Sequence, residues 1–422
     1  MARHLAMEAG VVIAVAEDAR RQRLAAVVER FQLQDPAQFA DPVADLAAAG
    51  RVLLVEQSRH DALHFPRGSR GGGGLPRRPG VPQGLGGRDP RRPGHRRGVR
   101  GRATHPLHRR RRLCSCHAAV PLADRVAGGL IGLAAGDALG ATVEFLTPDA
   151  IARRRCRGGG AFGWRPGQGT DDTDLAYAVA RSYAEGYSLD RVARHFLTWY
   201  QSGPRDIGGT TAAALGQLAR GADPALSGHL VEARAYSAGN GSLMRALATA
   251  LVRTDASQRR IEAVAISAVT HAERRCTQAC AVYCDLAALL LADATPTEAV
   301  EAVLASSPMG DDVAHAVAGA GELAGEDLDT SGYVLATLQV GVWALLQPRP
   351  LEDVLVEVVN LGGDADTTAA VAGGLLGVRD GVGAVPARWV EVLEYREPLL
   401  ALVSGLLDVR GGRPSVAPTE RN

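Results

Sequence analysis

Residues 360–368 have the sequence NLGGDADTT and stand immediately before a small, apolar, helix-like run, Ala369 to Val378. Asp364 and Asp366 are two positions apart on a glycine-rich loop, so an extended backbone there would project both carboxylates to the same side. Thr367 adds a hydroxyl oxygen, and the start of the following helix fixes the direction of the group. Such oxygens suit Mg²⁺, Mn²⁺ or Ca²⁺ and suit zinc poorly. An acidic helix cap is the simpler alternative for this segment alone.

A second acidic segment lies almost two hundred positions upstream, where residues 167–174 read GQGTDDTD and lead into a helix pattern, Leu175 to Tyr187. Three aspartates within four residues exceed what helix capping requires, and adjacent carboxylates repel one another unless they are protonated or neutralised. Thr170, Asp171 and Asp172 therefore repeat the chemistry of the first segment. Together with Glu144, the two segments predict oxygen ligands for a pair of cations about 3.5–4 Å apart.

The compact part of the chain is predicted to begin near Pro121 with a helix that runs through Gly140. Its glycines recur every four residues, at positions 128, 132, 136 and 140, and so share one helix face. Glycine costs about 1 kcal/mol in a helix interior, so another backbone is expected to approach this face closely. We predict a tightly packed neighbouring helix there, with Glu144 just beyond the helix end.

Two glycine-rich stretches lie between the acidic segments. Residues 206–211 read DIGGTT before a helix pattern, Ala212 to Arg220, and residues 239–245 read GNGSLMR before another, Ala246 to Val252. Glycines at a helix start expose backbone N–H groups, and Arg245 adds a cation, so the second stretch is a candidate phosphate cradle. His271 follows Thr270 at the start of a long helix pattern, where a capping or core role is the alternative to a functional one.

Composition favours an all-α domain for the larger part, because alanine and glycine are abundant and aromatics are scarce, which permits close helix packing. No stretch reaches the roughly 20 apolar residues that span a bilayer. The start of the chain is a poor signal sequence, so we expect a cytoplasmic protein without membrane contact. The chain has no lysine, which excludes Schiff-base chemistry and a Walker A phosphate loop.

Cysteine spacing does not predict a disulfide framework or a zinc site. Cys276, Cys280 and Cys284 lie on one face of a helix, so the outer two are about 12 Å apart and cannot share one zinc ion. They are expected to be buried thiols that behave as small hydrophobes. The compact pair Cys114 and Cys116, followed by His117, lacks a second pair to complete a zinc site.

Charge is distributed unevenly along the chain. Of its 47 basic and 46 acidic residues, 15 arginines and one aspartate lie in residues 67–112, so the remainder has 32 basic against 45 acidic residues. That arginine-, glycine- and proline-rich segment cannot form a core, and we predict disorder over residues 67–118. A nucleic-acid-binding tail is an alternative, although no aromatics are interleaved for base stacking.

Residues 1–66 are predicted to form a small α/β fragment. The run Arg51 to Glu56, followed by residues 64–68 (HFPRG), resembles the start of a Nudix hydrolase domain. The glutamate-rich helix that would bind metal in that family is absent downstream of Gly68, so no Nudix activity is inferred. A second alternative for the arginine-rich segment is that it is a shifted reading frame of GC-rich coding sequence that interrupted a Nudix domain.

From residue 119 to 410 the order of motifs resembles the ADP-ribosylglycohydrolase family of the dinitrogenase-reductase-activating type, and residues 411–422 form a tail. This resemblance implies an all-α orthogonal helical bundle with a dinuclear Mg²⁺ site, in which Mn²⁺ is sometimes found. It implies the metal ligands Thr170, Asp171, Asp172, Asp364, Asp366 and Thr367. It also places Gly239, Asn240, Gly241, Ser242, Met244, Arg245 and His271 in a cleft for ADP-ribose. Asp206 maps near the scissile ribose, and Gly209 departs from the asparagine that relatives often have.

The resemblance implies hydrolysis of a ribosyl C1″–N or C1″–O bond in an ADP-ribosylated protein or small molecule. The carboxylate of Asp206 or of Glu144 would take a proton from water, and the sequence does not separate the two. A catalytically silent member that binds ADP-ribose is one alternative. A metal-dependent phosphohydrolase of another class is a second, although histidines do not accompany the carboxylates.

Overall fold

The computed structural model describes residues 120–152, 159–232 and 238–413. The sequence-based predictions for residues 1–66 and 67–118, the Cys114–His117 cluster and residues 414–422 lie outside these ranges. Within them the protein is all-α, as predicted. The only β-structure of the described residues is two isolated bridges, Gly159–Trp164 and Gly239–Tyr333.

The described helices are α1 Leu122–Gly140, α2 Pro148–Ala152, α3 Asp171–Ala184, α4 Leu189–Gln201, α5 Gly209–Ala219, α6 Ser227–Glu232, α7 Leu247–Val252, α8 Ala256–Ala268, α9 Arg274–Leu291, α10 Pro296–Ser306, α11 Asp311–Gly319, α12 Val334–Leu346, α13 Leu351–Asn360, α14 Ala365–Asp380, α15 Ala387–Val390 and α16 Arg396–Arg410. Short 3₁₀ turns cover Leu243–Arg245, Ala320–Glu322, Gly325–Asp327 and Val382–Ala384. Among these helices, none combines the length and apolar character that a membrane crossing requires.

Helices α1 and α14 form the centre of the bundle. Both are buried along almost their whole length, α3 and α16 pack against α1, and α9, α12 and α13 pack against α14. Both helices consist mostly of small and apolar residues, as is typical of a helix that has neighbours on nearly every side.

The periodic glycines of α1 are the surface on which α14 lies, which confirms the predicted close helix contact. A Cβ atom on Gly128, Gly132, Gly136 or Gly140 would overlap a backbone carbonyl oxygen of α14. Gly373 and Gly377 of α14 would in turn overlap carbonyl oxygens of α1. The two backbones therefore touch directly, and this contact places the N-terminus of α14 beside the C-terminus of α1, where Glu144 follows.

We expect the Gly132→Ala variant to be less stable than the wild type by about 1–3 kcal/mol, the usual cost of overpacking. Alanine normally stabilises a helix interior relative to glycine by about 1 kcal/mol, so the sign itself is diagnostic. The added methyl group would meet the carbonyl of Gly373, which cannot move without shifting α14. Denaturant unfolding measures the difference. Gly383→Ala, whose new Cβ would meet no atom within 4 Å, is the matched control, and equal stability of both variants would contradict the account.

Candidate active site

The start of α3 presents the Thr170–Asp172 segment. Thr170 is the N-cap residue, in an extended conformation, and its side chain accepts a hydrogen bond from the Asp172 backbone N–H at 3.2 Å. Asp171 and Asp172 thus lie within the first helical turn, earlier than the helix start predicted at Leu175. Their carboxylates sit at the positive end of the helix dipole, where negative charge is stabilised.

The start of α14 presents the second acidic segment through a tight glycine turn. Gly362 and Gly363 have φ angles of 71° and 68°, a conformation that glycine adopts most readily. The expectation of an extended backbone over Asp364–Asp366 is wrong: Asp364 is the N-cap residue and Asp366 lies in the first turn. The helix therefore begins before Ala369, where the apolar pattern placed its start. The alternative of a simple acidic cap does not fit Asp364, whose side chain makes no cap hydrogen bond.

The two acidic segments meet, as the sequence predicted. The hydroxyl of Thr367 donates a hydrogen bond to Asp172 Oδ2 at 3.2 Å, across 195 positions of sequence. Oxygens of Glu144, Asp206 and Asp366 lie within 4.8 Å of one another. Helices α14 and α3 both pack on α1. This packing brings the start of α3 and the start of α14 together.

Asp137 is a buried carboxylate of this region whose role the sequence analysis missed. Its Oδ2 accepts hydrogen bonds from the backbone N–H groups of Thr170 at 2.9 Å and Thr173 at 3.1 Å, and from the Thr173 hydroxyl. Asp137 therefore fixes the α3 start to α1. The one signal for it in the sequence is that Asp137 is the single charged residue within the small and apolar residues 126–140.

Burial raises the pKa of each carboxyl group of this carboxylate cluster whose shift is resolved, and repulsion between the carboxylates adds to it in every case except Asp137. The pKa of Glu144 rises to about 8, through burial and then through the charges of Asp206, Asp364 and Asp137. The pKa values of Asp171, Asp172 and Asp366 rise well above the usual range, with burial the largest cause. The pKa of Asp137 rises to about 6, and that of Asp206 is also raised.

The donor set fits divalent cations that prefer oxygen. Asp137 Oδ1, Glu144 Oε2 and Asp172 Oδ1 are buried without a hydrogen-bond partner, and an unpaired buried carboxylate oxygen is costly. Elsewhere in the described chain a buried aspartate is neutralised: Asp285 pairs with Arg259 at 2.7 Å and with Arg260 at 2.5 Å. Hard oxygen ligands that form no ion pair with an arginine of the described residues are suited to Mg²⁺ or Mn²⁺.

A cleft of about 830 Å³ opens over the cluster, within the size range of small-ligand sites. The sequence-predicted residues that line it are Glu144, Asp171, Asp206, Gly239, Asn240, Gly241, Met244, His271, Asp364, Asp366 and Thr367. Four others lie behind its wall and are at most 1 % exposed: Thr170, Asp172, Ser242 and Arg245. The carboxylates and the glycine-rich Gly239–Gly241 stretch both line the cleft, and Asn240 of that stretch donates to Asp364 at 2.9 Å.

Comparison with known proteins agrees with this architecture. The sequence model of the ADP-ribosylglycohydrolase family matches residues 118–415. The chain belongs to this family. It is 32 % identical to the ADP-ribosylarginine hydrolase Tri1 of Pseudomonas putida (strain GB-1), over 72 % of this chain and 84 % of that protein. It is also 32 % identical to the ADP-ribosyl-(dinitrogen reductase) glycohydrolase of Rhodospirillum rubrum, over 65 % of this chain and 91 % of that protein.

A solved structure, described as an ADP-ribosylglycohydrolase-related protein complex, aligns with a TM-score of 0.58 and 32 % identity. The alignment covers 68 % of this chain and 99 % of that one. The all-α ADP-ribosylglycohydrolase fold predicted from the motif order is thereby confirmed, and the chain is a hydrolase of ADP-ribosyl linkages by family. The Nudix-like start lies outside both the family match and the described residues.

Within this family fold, Arg245 lies behind the cleft, whereas the sequence suggested a cation for phosphate. It is fully buried, its Cζ lies 4.7 Å from the centroid of the Phe196 ring, and its guanidinium donates to the Gly241 carbonyl and to Thr270 Oγ1, the latter at 2.6 Å. Its side chain therefore stabilises the conformation of the Gly239–Arg245 stretch from the protein interior. A charge this deep is retained because the guanidinium has hydrogen-bond partners.

His271 lines the cleft as a neutral imidazole. Burial, followed by the nearby Arg245 charge, lowers its pKa to about 3. Its Nδ1 lies 2.7 Å from Thr270 Oγ1, which already accepts a hydrogen bond from Arg245. The hydroxyl proton of Thr270 is then directed at Nδ1, so we assign the ring proton to Nε2. A neutral donor beside Gly241 is suited to a phosphate or ribose oxygen.

We expect His271 to make stability depend on pH. The folded pKa lies below the unfolded value of about 6.5, so its contribution is fully present above pH 6.5 and is lost as pH falls toward 3. Between pH 7 and 5 the wild type should lose about 2 kcal/mol more than His271→Gln, which cannot be protonated. Urea unfolding at the two pH values measures this. A parallel loss in both proteins would contradict the buried, neutral state.

The three cysteines of α9 are buried and free, as predicted. Their thiols face the stretch that forms the cleft wall: Cys276 Sγ donates to the Gly239 carbonyl at 3.3 Å and Cys284 Sγ to the Ala246 carbonyl at 3.2 Å. Burial raises the pKa of each thiol, so they remain protonated and support the cleft by packing.

Sequence reasoning missed the part of the cleft that carries no acidic or glycine-rich motif. Phe145 and Phe162 line its mouth, and the loop Thr330–Gly332 lines another side. A Cβ atom on Gly332 would lie 3.0 Å from Asp364 Oδ2, so the loop passes close to the acidic segment. A Ser-Gly pair such as that at 331–332 is typical of a turn, but nothing in the sequence indicates what the turn faces.

Proposed function

We propose that this chain removes ADP-ribose from arginine side chains of proteins with the help of two divalent cations, Mg²⁺ or alternatively Mn²⁺. The observation that carries the proposal is the junction of Asp172 and Thr367 beneath a cleft lined by Glu144, Asp206 and Asp366. The two relatives named above act, by name, on ADP-ribosylarginine and on an ADP-ribosylated reductase, which supports a protein substrate.

The residues that would hold the cations are Asp171, Asp364, Asp366 and Thr367 at the cleft surface, with Thr170 and Asp172 beneath them. When bound, divalent cations supply positive charge that orients ribose hydroxyls and lowers the pKa of a water molecule. Asn240 Nδ2 donates to Asp364 Oδ2 at 2.9 Å and to Thr337 Oγ1 at 2.9 Å. This amide thereby fixes the orientation of the Asp364 carboxylate.

The rest of the chemistry falls to the side chains of the cleft. Cleavage at C1″ places positive charge on the ribose ring, and the surrounding carboxylates stabilise it. Asp206, which is less buried than Glu144, is proposed as the base that takes a proton from the attacking water. Glu144, enclosed at the end of α1, is proposed to position the ribose. The neutral His271 and the Gly239–Gly241 backbone are proposed to bind the remainder of ADP-ribose.

A direct assay tests the proposal. Purified protein is incubated with one peptide carrying ADP-ribosyl-arginine and the same peptide carrying ADP-ribosyl-serine, with Mg²⁺ and with EDTA, and free ADP-ribose is measured. We expect release from the arginine peptide that depends on Mg²⁺. Binding of ADP-ribose without release from either peptide would favour the silent member of the family. Every mapped ligand position retains an oxygen side chain, which argues against that alternative.

The domain boundary gives another prediction. We expect a chain starting at residue 119 to keep the hydrolase activity of the full chain within about twofold, because the family match begins at residue 118 and the bundle core starts in α1. Circular dichroism and kcat/KM of both chains provide the measurement. A truncated chain that fails to fold would show that the boundary is misplaced.

A further inference from the structure

The cleft mouth exposes an aromatic side chain that the proposed chemistry does not use. Phe145 is 65 % exposed, more than any other large apolar side chain of the described residues. It follows Glu144 directly in sequence and lines the cleft. A large ring left in water beside a ligand site is typical of a recognition surface.

The backbone holds Phe145 in a costly conformation. Its φ angle is 63°, and among the described residues only Asp293 is another non-glycine residue with positive φ. The Phe145 N–H donates to the Gly363 carbonyl at 2.7 Å, and the Gly363 N–H donates to the Leu146 carbonyl at 3.0 Å. The strained residue is thus fastened to the turn that precedes Asp364. Strain of this kind persists where the surrounding structure enforces it and is concentrated at functional sites.

A second ring supports the first. Phe162 also lines the cleft and lies edge-to-face with Phe145, at 6.5 Å between centroids and 68° between planes. Trp164 lies 5.9 Å behind Phe162, and Arg205 stacks over Trp164 at 5.2 Å while donating to the Phe162 carbonyl at 3.2 Å. The aromatic wall, defined as Phe145 and Phe162, is therefore positioned by contacts that do not need a ligand.

The surroundings identify what this wall would bind. Glu144 and Asp206, members of the carboxylate cluster, lie on the same cleft as the two rings. An aromatic face beside carboxylates recognises a planar cation, and guanidinium stacks on rings more readily than an ammonium group. The wall also adjoins the reacting end of the cleft, since Phe145 is the neighbour of Glu144. It would therefore contact the group attached to C1″ rather than the distant adenine.

We propose that Phe145, supported by Phe162, is the acceptor-specificity residue, whose ring receives the guanidinium group of an ADP-ribosylated arginine. This inference rests on the proposed function and adds the residue that selects the acceptor. A serine acceptor has no planar cation and would gain nothing from the ring. Phe145 is thus a specificity residue, and it contributes to binding of the leaving group before and during cleavage.

Steady-state kinetics of Phe145 variants test the proposal on the arginine and serine peptides, with free ADP-ribose as an inhibitor. For Phe145→Ala we expect KM for the arginine peptide to rise roughly 2- to 30-fold, with kcat little changed. The serine peptide and the inhibition constant of ADP-ribose, which lacks the acceptor, should not change. Phe145→Tyr should resemble the wild type, whereas Phe145→Leu should resemble alanine because it keeps bulk without a ring face.

Several outcomes would overturn the inference. Equal losses on both peptides and on ADP-ribose would place the ring against the common ADP-ribose moiety. Full affinity in Phe145→Leu would show that bulk alone suffices, and an unchanged Phe145→Ala would remove the role entirely. Leu304→Ala, at an exposed leucine of α10 outside the cleft, is the control. If the wild type cleaves neither peptide, that result contradicts the proposed function alone. Calorimetric binding of the arginine peptide to the same variants then tests the inference about Phe145.

Discussion

The Asp364→Ala and Asp366→Ala variants are expected to lose turnover by more than about 10³-fold and to lose high-affinity Mg²⁺ binding while remaining folded. The two carboxylates lie on the cleft and complete the oxygen set with Asp171 and Thr367. Bound cations supply several kcal/mol of charge stabilisation in such sites, and each 1.36 kcal/mol is worth tenfold in rate. ADP-ribose release, calorimetric Mg²⁺ titration and circular dichroism measure the three properties.

Folding should survive because each carboxylate contributes little to the formation of the helix. The half-buried Asp364 makes no side-chain cap bond to α14. Asp366 is buried, and its removal costs one hydrogen bond from the adjacent Thr367 N–H but relieves repulsion within the carboxylate cluster. Without added cation the variants are therefore expected to be at least as stable as the wild type. Asp353→Ala, which removes an exposed carboxylate from the first turn of α13, is the matched control. Full activity in either Asp364→Ala or Asp366→Ala would remove the metal proposal.

The Asp206→Asn variant is expected to lower kcat by about 10²–10⁴-fold, the usual contribution of a general base, while Mg²⁺ affinity stays near that of the wild type. Asparagine keeps the shape of the side chain and its hydrogen-bonding to the Ile207 N–H region, but it cannot accept a proton from water. Glu144→Gln should instead affect KM as well as kcat, because Glu144 is proposed to position the ribose. Single-turnover rates with calorimetry separate the two effects.

The opposite pattern would reverse the assignment. If Glu144→Gln abolished turnover with unchanged KM and Mg²⁺ affinity, and Asp206→Asn remained active, Glu144 would be the base. Their carboxylate oxygens both belong to the group that lies within 4.8 Å of Asp366, so distance alone does not distinguish the two candidates.

The features that could be predicted from the sequence were those with a local period or a dense cluster. The glycines of α1 recur every four residues, and such a period has one simple physical reading, a close backbone neighbour. Three aspartates at the start of α3 exceed any capping need, so the sequence alone indicates a site there. In both cases the pattern can be recognised within a short stretch of sequence.

The remaining features depended on contacts between distant segments. Nothing local indicates that Arg245 points inward to Thr270 and Phe196, since the same GNGSLMR stretch with an outward arginine would be a phosphate cradle. Hydrogen bonds of Gly363 with Phe145 and Leu146 join the turn before α14 to a distant segment that carries the exposed Phe145, and no local pattern indicates this contact. Long-range packing decided these cases over local preference.

The most direct test of the central claim is a Mn²⁺ titration, followed by electron paramagnetic resonance, of the wild type, Asp172→Asn, Asp364→Asn and the double variant. The claim is that segments 195 residues apart form one cation site, so substitutions in either segment should weaken the same bound ions and their effects should not add. We predict two tightly bound Mn²⁺ ions per wild-type chain and matching losses in both single variants. Independent, additive losses, or a wild type that binds no Mn²⁺, would contradict the account.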